Sequence, residues 1–552
     1  VYNILIGGAA GQGIETMVGI LEKLLKKSGY HIFTSRDFMS RVRGGHNFSL
    51  LRFGNKPSMT HCSELNGIIA LNSETVEFHK NDLLEDGFIL CDENVESSDS
   101  RTIKIPMAQM AKEIGNPRVS GTIAVGAILK LFGEDLSGAE EVLKRELPEK
   151  YFDINNEAIK EGFGQVEKRF EQASGDYSDH MLISGSQAIG LGAIAAGLKF
   201  YCAYPMSPST AIMVYVASKG EKAGVVVEQA EDEIAAINMA IGASYAGARS
   251  MTGTSGGGFS LMVEALGLAG IAEIPVVIVD VQRPGPATGL PTRTEQSDLK
   301  FVVSASQGEF PRMVIAVRNH ADSFYQTIRA FDIAEKYQIP VIILSDQFLG
   351  DATSTVKKFS ADHISVASPI REFDGDYMRY KLTDDGISPR LVPGTSENLV
   401  LIDSDEHDEH GRITESAEVR NAMVKKRMKK LEKLKEELLE PDFLGDDGFD
   451  TLLVGWGSTY GSIAEAVEKL NADGGKYAAL IFGDVYPLPE KLIREKAKQA
   501  KNIINVEQNA TGQLAGMIRE YTGITFDSSV LKYDGRQITA NEIIEQIKKE
   551  AK

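Results

Sequence analysis

Cysteine is nearly absent from this chain. Its 552 residues hold three, Cys62, Cys91 and Cys202, far apart and with no C-x-x-C spacing. That excludes a zinc ribbon or a four-cysteine iron–sulfur cluster built within the chain. It also fits a reducing, cytoplasmic compartment rather than a disulfide scaffold. Long apolar runs are missing as well. The nearest approach, Val263–Val281, contains Glu264, Glu273 and Asp280 and is broken by Pro275, so it reads as buried helix and strand and not as a membrane span. Basic charge is in deficit: 59 Lys and Arg against 78 Asp and Glu give −19, which leaves a nucleic-acid partner without support. The N-terminus opens on a strand-like run and shows no signal-peptide pattern.

The chain is too long for one core, and a prior of roughly 100–200 residues per domain suggests three or four. Short apolar runs alternate with helical periodicity, which predicts an α/β class. Tyr2–Ile6 reads as a buried strand, and GGAAGQGIE follows with Gly7, Gly8, Gly11 and Gly13. Beyond it Met17, Val18, Leu21, Leu24 and Leu25 recur at helical spacing. Such a glycine turn lets backbone N–H groups and a helix N-terminus approach an anion. Its spacing inverts the dinucleotide fingerprint, which disfavours an NAD-dependent dehydrogenase and leaves a plain strand-to-helix turn as the alternative. Next, Arg41, Arg43, Gly44, Gly45 and His46 form a basic glycine turn before an alternating strand, Phe48–Phe53. That turn suits a phosphate or a solvated loop at an interface.

A polar stretch, Gln172–Asp179, reads as a linker. Four unusual segments follow: Ala203–Thr210 (AYPMSPST), Val227–Ala236 (VEQAEDEIAA), Met251–Ser260 (MTGTSGGGFS) and Gln282–Thr292 (QRPGPATGLPT). Each sits where a strand-like run meets a turn or helix, the place where α/β folds put their chemistry. Residues Ser354–Gly394 read as an irregular connector. Asp403–Glu415 is dense in metal-capable side chains, including His407 and His410, but a hydrated acidic loop is the simpler reading. Glu418–Glu440 reads as a charged helix with Val424, Met428, Leu431, Leu434 and Leu438 as its apolar stripe. Lys425, Lys426, Lys429 and Lys430 are expected on its solvated face. From Thr451 onward a last doubly wound pattern completes the chain.

Tyr204-Pro205-Met206-Ser207-Pro208-Ser209-Thr210 resembles the Y-P-[IM]-[TS]-P-S-[ST] pattern of the 2-oxoacid:ferredoxin oxidoreductases, specifically the alpha subunit with a gamma domain fused at its N-terminus. Gln229–Ser250, the TGTSGGG turn, RPGPATGLPT and Gly308–Arg312 follow in family order. GGAAGQG and RGGHN look like the gamma domain, and Val506–Arg519 like a transketolase-C-like domain. The resemblance covers nearly the whole chain. It implies three α/β domains, a gamma-type domain over 1–172, a thiamine-diphosphate (TPP) pyrimidine-binding domain over 181–365 and a transketolase-C-like domain over 446–552, joined by a linker over 173–180 and an irregular connector with the charged helix over 366–445.

The activity it implies is oxidative decarboxylation of a 2-oxoacid with coenzyme A, giving an acyl-CoA, CO2 and reduced ferredoxin. A beta subunit would carry the diphosphate–Mg2+ site and a 4Fe–4S cluster, in a heterodimer or a dimer of heterodimers. The fused arrangement favours 2-oxoglutarate; pyruvate and branched or aromatic 2-oxoacids stay open, as does a non-catalytic paralogue that binds a partner. Glu231 matches the family glutamate at the pyrimidine N1′, where a shared proton favours the imino tautomer that deprotonates thiazolium C2. Glu228, Asp232 and Glu233 are then helix N-terminal charges. Tyr204, Pro205, Thr254, Ser255 and Gly256 would line the cofactor. Ser207 would offer a hydroxyl, Arg283 a guanidinium fork for the substrate's carboxylate, and Thr292 a second hydroxyl. Arg41, Arg43, Gly44 and Gly45 are candidates for coenzyme A phosphates or an interface.

Overall fold

The computed structural model describes residues 1–39, 44–360, 362, 364–368, 370 and 375–550. It divides into two units, 1–183 with 351–358, and 184–350 with 359–552. Both are α/β, as the alternating periodicities predict.

In the first unit the order across an eight-stranded sheet is Thr102–Ile105, Leu83–Asp92, Leu65–Ala70, Tyr2–Ala10, Gly44–Gly54, His31–Phe38, Thr353–Val356 and Met181–Ser184. Tyr2–Ala10 runs parallel to Leu65–Ala70 and antiparallel to Gly44–Gly54. The helix Ile14–Lys27 buries Met17, Val18, Leu21, Leu24 and Leu25, the stripe that the spacing predicts. With Ser120–Leu131 and Phe152–Phe163 it covers the sheet over a core that includes Tyr30, Phe53, Phe88 and Phe132. Between the helices Ala139–Glu146 and Phe152–Phe163 stands a single 3-10 turn, Glu149–Tyr151, because Pro148 interrupts the helical run.

The second unit holds two sheets. One has seven strands in the order Asp484–Tyr486, Met313–Ala316, Pro340–Asp346, Val276–Gln282, Ser250–Thr254, Phe200–Ala203 and Val226–Gln229. All neighbours are parallel except Asp484–Tyr486, which is antiparallel to Met313–Ala316. Val276–Gln282 is buried at every position, as expected for a central strand covered on both faces. The other sheet runs Asp442–Leu444, Tyr477–Phe482, Thr451–Trp456, Asn502–Glu507 and Ser528–Leu531. Leu266, Ile278, Leu452, Trp456 and Phe482 belong to one apolar core, so the two sheets are packed as one body.

The charged helix departs from expectation. It spans Ala417–Leu434 and passes into a 3-10 turn at Lys435–Glu437. Its buried face is Met423, Lys426, Arg427, Lys430 and Leu434; of the expected apolar stripe Leu434 is buried, while Val424, Met428, Leu431 and Leu438 are half-buried. Lys426 and Lys430 are therefore interior and not solvated: each ammonium lies 2.5 Å from a carboxylate oxygen of buried Glu273. Arg427 pairs with Glu406 at 2.9 Å. The helix docks through ion pairs that no local pattern reveals.

Candidate active site

Parallel strands share one direction, so their C-terminal ends collect at one edge of the sheet. Phe200–Ala203 ends at the YPMSPST loop, Val226–Gln229 at the Glu231 turn, Ser250–Thr254 at the glycine turn, and Val276–Gln282 at Arg283. Register places Ala203 beside Gln229 and Thr254 beside Asp280. The four segments of the sequence thus meet at one edge.

Within the second segment the inward carboxyl is that of Glu233. Asp232 is extended and caps the helix Glu233–Tyr245, its side chain accepting from the Ala235 N–H at 2.7 Å. Glu231 stands before the cap and is exposed. Glu233 opens the helix and is 3% exposed, and its Oε1 has no hydrogen-bond partner among the described residues. It shares the buried stripe with Ala236, Ile237, Ala240, Ile241 and Ser244, at the three- and four-residue spacing of a helix. That spacing is legible in the sequence, and it marks Glu233 rather than Glu231 as the residue turned to the interior.

Opposite Glu233 stands the glycine turn. Thr254 and Ser255 are fully buried; the Thr254 hydroxyl donates to the Ser255 carbonyl at 3.3 Å, and Ser255 Oγ has no partner. A Cβ on Gly258 would fall onto Thr254 Oγ1 and lie 2.5 Å from Glu233 Oε1. Only glycine leaves room for the carboxyl. At Gly256, where the helix Gly256–Ile271 begins, a Cβ would lie 2.6 Å from Asp298 Oδ1.

The first and fourth segments are tied together. Arg283 Nη1 donates to the Ser207 carbonyl at 2.6 Å, and the Ser209 hydroxyl donates to the Met206 carbonyl at 2.8 Å. Arg283 is 9% exposed; burial pulls its pKa down and the Asp298 carboxylate pushes it back up. Tyr204 is exposed and Pro205 half-buried at the same loop. Thr292 is half-buried further along the Arg283 loop and makes no hydrogen bond to Arg283 or Ser207.

Among the expected gamma-domain positions, Arg41 and Arg43 lie outside the described residues. Gly44 and Gly45 begin the strand Gly44–Gly54, with Gly44 paired to Ala10. A separate feature of that unit was not singled out as a cavity by its sequence. Gly11, Gly13, Asn72, Arg118, Ser120 and Tyr151 line a space of about 1030 Å³. Gly13 is left-handed (φ 82°) and starts Ile14–Lys27 with no side-chain cap, so the first N–H groups of a 14-residue helix are open to a ligand.

The acidic loop at Asp403–Glu415 has its own structural partners. His407 is fully buried, its ring centroid 3.9 Å from that of Tyr380, and its Nδ1 is 3.0 Å from the Asp405 carbonyl. Among the described residues no three His, Cys, Asp or Glu side chains are grouped to hold a metal, and no helix is long and apolar enough to cross a membrane.

Comparison with known proteins fits this geometry. Residues 191–426 match the family described as pyruvate flavodoxin/ferredoxin oxidoreductase, thiamine diphosphate-binding. Residues 3–165 match pyruvate ferredoxin/flavodoxin oxidoreductase, and 450–543 match pyruvate:ferredoxin oxidoreductase core domain II. A 2-oxoacid:ferredoxin oxidoreductase subunit alpha from Sulfolobus sp is 32% identical, over 98% of this chain and 96% of its own. A 2-oxoglutarate oxidoreductase subunit KorA from Mycobacterium tuberculosis is 31% identical, over 87% of this chain and 77% of its own. The solved 2-oxoglutarate:ferredoxin oxidoreductase from Magnetococcus marinus, with 2-oxoglutarate, coenzyme A and succinyl-CoA bound, aligns with a TM-score of 0.93 at 32% identity, covering 100% of this chain and 99% of that one.

Proposed function

The chain belongs to the 2-oxoacid:ferredoxin oxidoreductase family as an alpha subunit, and from that premise we propose that it acts on 2-oxoglutarate, with coenzyme A as acyl acceptor and ferredoxin as electron acceptor. The 2-oxoacid and the thiol of coenzyme A become an acyl-CoA and CO2, with one proton and a pair of electrons released to ferredoxin. The choice of 2-oxoglutarate is supported by the names of the KorA relative and of the solved structure. A beta subunit completes the site with Mg2+ for the diphosphate and a 4Fe–4S cluster, in a cytoplasmic heteromer. Three free thiols support that compartment.

The observation that carries the residue roles is the unpartnered Oε1 of Glu233, held in a cradle of Thr254 and Gly258. A buried polar atom without a partner is costly, and a ligand that hydrogen-bonds it removes the cost. The aminopyrimidine ring of thiamine diphosphate offers such a group. When bound, the cofactor supplies the carbon nucleophile for the 2-oxo carbon. Glu233 takes the role expected of Glu231: it holds a proton at the ring nitrogen, shielded from water. Thr254, Ser255 and Gly256 line the ring, with Tyr204 and Pro205 at the rim. Arg283, steadied by the Ser207 carbonyl, presents its remaining N–H groups to the substrate's carboxylate. Thr292 is a further hydroxyl on that loop.

The cavity of the first unit suits the phosphates of coenzyme A, with the open N-terminus of Ile14–Lys27 and Arg118 as anion ligands. The Arg41, Arg43, Gly44 and Gly45 turn is an alternative phosphate site or an interface.

Two substitutions test the carboxyl's role in the assembled enzyme. Glu233→Gln is expected to lower turnover by about 10²–10⁴-fold, the usual worth of a positioned acid or base, with assembly intact. Glu231→Gln is expected to leave turnover within about threefold of wild type, as for an exposed side chain. The opposite ranking overturns the choice of Glu233.

A further inference from the structure

The loop that carries Arg283 leaves the strand Val276–Gln282 and ends at the helix Leu299–Ser304. Its tip, residues 285–291, is exposed. An exposed tip has little apolar packing to fix its course, so directional polar bonds must fix it. The two ends of the loop are tied to each other. The Asp298 N–H donates to Gln282 Oε1 at 3.1 Å, and Gln282 Nε2 donates to the Ser345 carbonyl on the adjacent strand at 3.1 Å. The residue that precedes Arg283 thus rests on the far end of its own loop.

That far end is held in turn from the second sheet of the unit. Gln296 is fully buried, and each of its polar groups is bonded there. Its N–H donates to the Gln508 carbonyl at 2.7 Å, and its Oε1 accepts from the Gln508 N–H at 3.2 Å. Its Nε2 donates to the Trp456 carbonyl at 2.8 Å, and its carbonyl accepts from Asn509 Nδ2 at 3.1 Å. Gln513, the first residue of the helix Gln513–Thr522, spans the same stretch. Its Nε2 donates to the Ser297 carbonyl at 2.7 Å and its Oε1 accepts from the Lys300 N–H at 2.9 Å. Asp298 lies between those two residues, so Gln513 grips the segment whose N–H reaches Gln282.

Gln508 also sets a turn on the other side of the loop. Its Nε2 donates to Gln537 Oε1 at 2.8 Å, and its Oε1 accepts from the Ile538 N–H at 2.6 Å. In that turn the Gly535 carbonyl accepts from the Thr294 N–H at 3.2 Å. A Cβ on Gly535 would lie 3.0 Å from Leu290 Cδ1 and 3.1 Å from Arg293 Cβ, so the turn presses directly on the loop. Apolar packing between two sheets tolerates small slides, whereas a satisfied buried polar network specifies one arrangement.

We infer that Gln296, Gln508 and Gln513 are positioning residues that hold the return of the loop in one register and, through Asp298 and Gln282, set where Arg283 stands when a 2-oxoacid arrives. The role rests on the reading of Arg283 as the substrate's anchor. A guanidinium already in place binds a carboxylate without first being ordered, and a loosened loop lowers the apparent affinity by the fraction still correctly placed.

The test uses the assembled enzyme with the proposed beta subunit. Gln513 is half-buried, so Gln513→Ala removes its two bonds to the loop with little risk to the fold. KM for 2-oxoglutarate is expected to rise about tenfold, the worth of two hydrogen bonds, with kcat and KM for coenzyme A within about twofold of wild type. An unchanged KM for the 2-oxoacid overturns the inference, and so does an equal loss of kcat/KM for both substrates. On an Arg283→Ala background the added effect of Gln513→Ala is expected to vanish; full additivity overturns the coupling to Arg283. Hydrogen exchange of the amides of residues 294–300 in the resting enzyme gives a readout that needs no turnover. Faster exchange in Gln513→Ala supports the clamp, and exchange equal to wild type overturns it. Should Arg283→Ala keep the wild-type KM, the anchor reading of Arg283 fails by itself, and the exchange rates still decide whether the loop is clamped.

Discussion

Replacing Glu273 by glutamine is expected to destabilise the second unit by about 3–5 kcal/mol, the cost of leaving buried charges uncompensated. Glu273 is 1% exposed and its carboxylate bridges Lys426 and Lys430, each ammonium at 2.5 Å. Arg379 is buried against the same residue, its Nη2 donating to the Glu273 carbonyl at 2.6 Å. The carboxylate thus pairs with two ammonium groups, while the guanidinium holds the backbone of the same residue. Burial alone would push its pKa up, but the two ammonium groups and the guanidinium hold it well below the carboxylate range. Burial pulls the Lys430 ammonium down to about 8, against the attraction of Glu273. Glutamine keeps the shape and removes the charge. A lysine must then give up its proton on folding, which at pH 7 costs about 4–5 kcal/mol, from an ordinary pKa of about 10.4 at 1.36 kcal/mol per unit. The two estimates agree.

The sign of the pH dependence follows. The unfolded lysine keeps its proton up to about pH 10.4, so the penalty of the variant is largest at low pH and shrinks as pH rises toward that value. The assay is denaturant unfolding followed by the fluorescence of Trp456, the chain's sole tryptophan, which is fully buried and donates from Nε1 to Glu507 at 3.1 Å. A loss below about 1 kcal/mol at pH 7, the level of a surface pair, would refute the reasoning. Adding Lys430→Met to Glu273→Gln is expected to recover a large part of the loss, since it removes one of the orphaned charges.

Gly258→Ala is expected to cost about 1–3 kcal/mol by overpacking and to depress turnover strongly, because the new Cβ takes the space of Thr254 Oγ1 and Glu233 Oε1. Turnover unchanged from wild type would remove the cradle from the account. Arg118→Ala is expected to raise KM for coenzyme A about tenfold or more while leaving KM for the 2-oxoacid alone, the usual worth of a charged hydrogen bond being about 1.5–3 kcal/mol. Equal changes in both constants would point to a structural role for Arg118.

Local pattern carried much of the fold. Tyr2–Ile6 lies within the strand Tyr2–Ala10, as its apolar run predicts, and Ile14–Lys27 buries its predicted stripe. The four motifs at strand ends come together because parallel strands share one edge, a property of topology that motif order already suggests. What stayed hidden depended on distant partners. Lys426 and Lys430 look like a solvated lysine face, and only Glu273, far back in the chain, makes them interior. Asp280 reads as a charge that argues against a membrane span, yet it is fully buried. The choice between Glu231 and Glu233 was open to the sequence in principle, since Glu233 fits the stripe of Ala236, Ile237 and Ala240. The cavity at Gly13 draws Asn72, Arg118 and Tyr151 from well-separated stretches, which no local pattern shows.

The most direct test of the whole account is turnover by the chain purified with the proposed beta subunit. With thiamine diphosphate and Mg2+ present, reduction of a viologen dye is expected only when 2-oxoglutarate and coenzyme A are both supplied, with succinyl-CoA formed in step with the dye reduced. A complete assembly that binds thiamine diphosphate yet reduces no dye with any 2-oxoacid would contradict it.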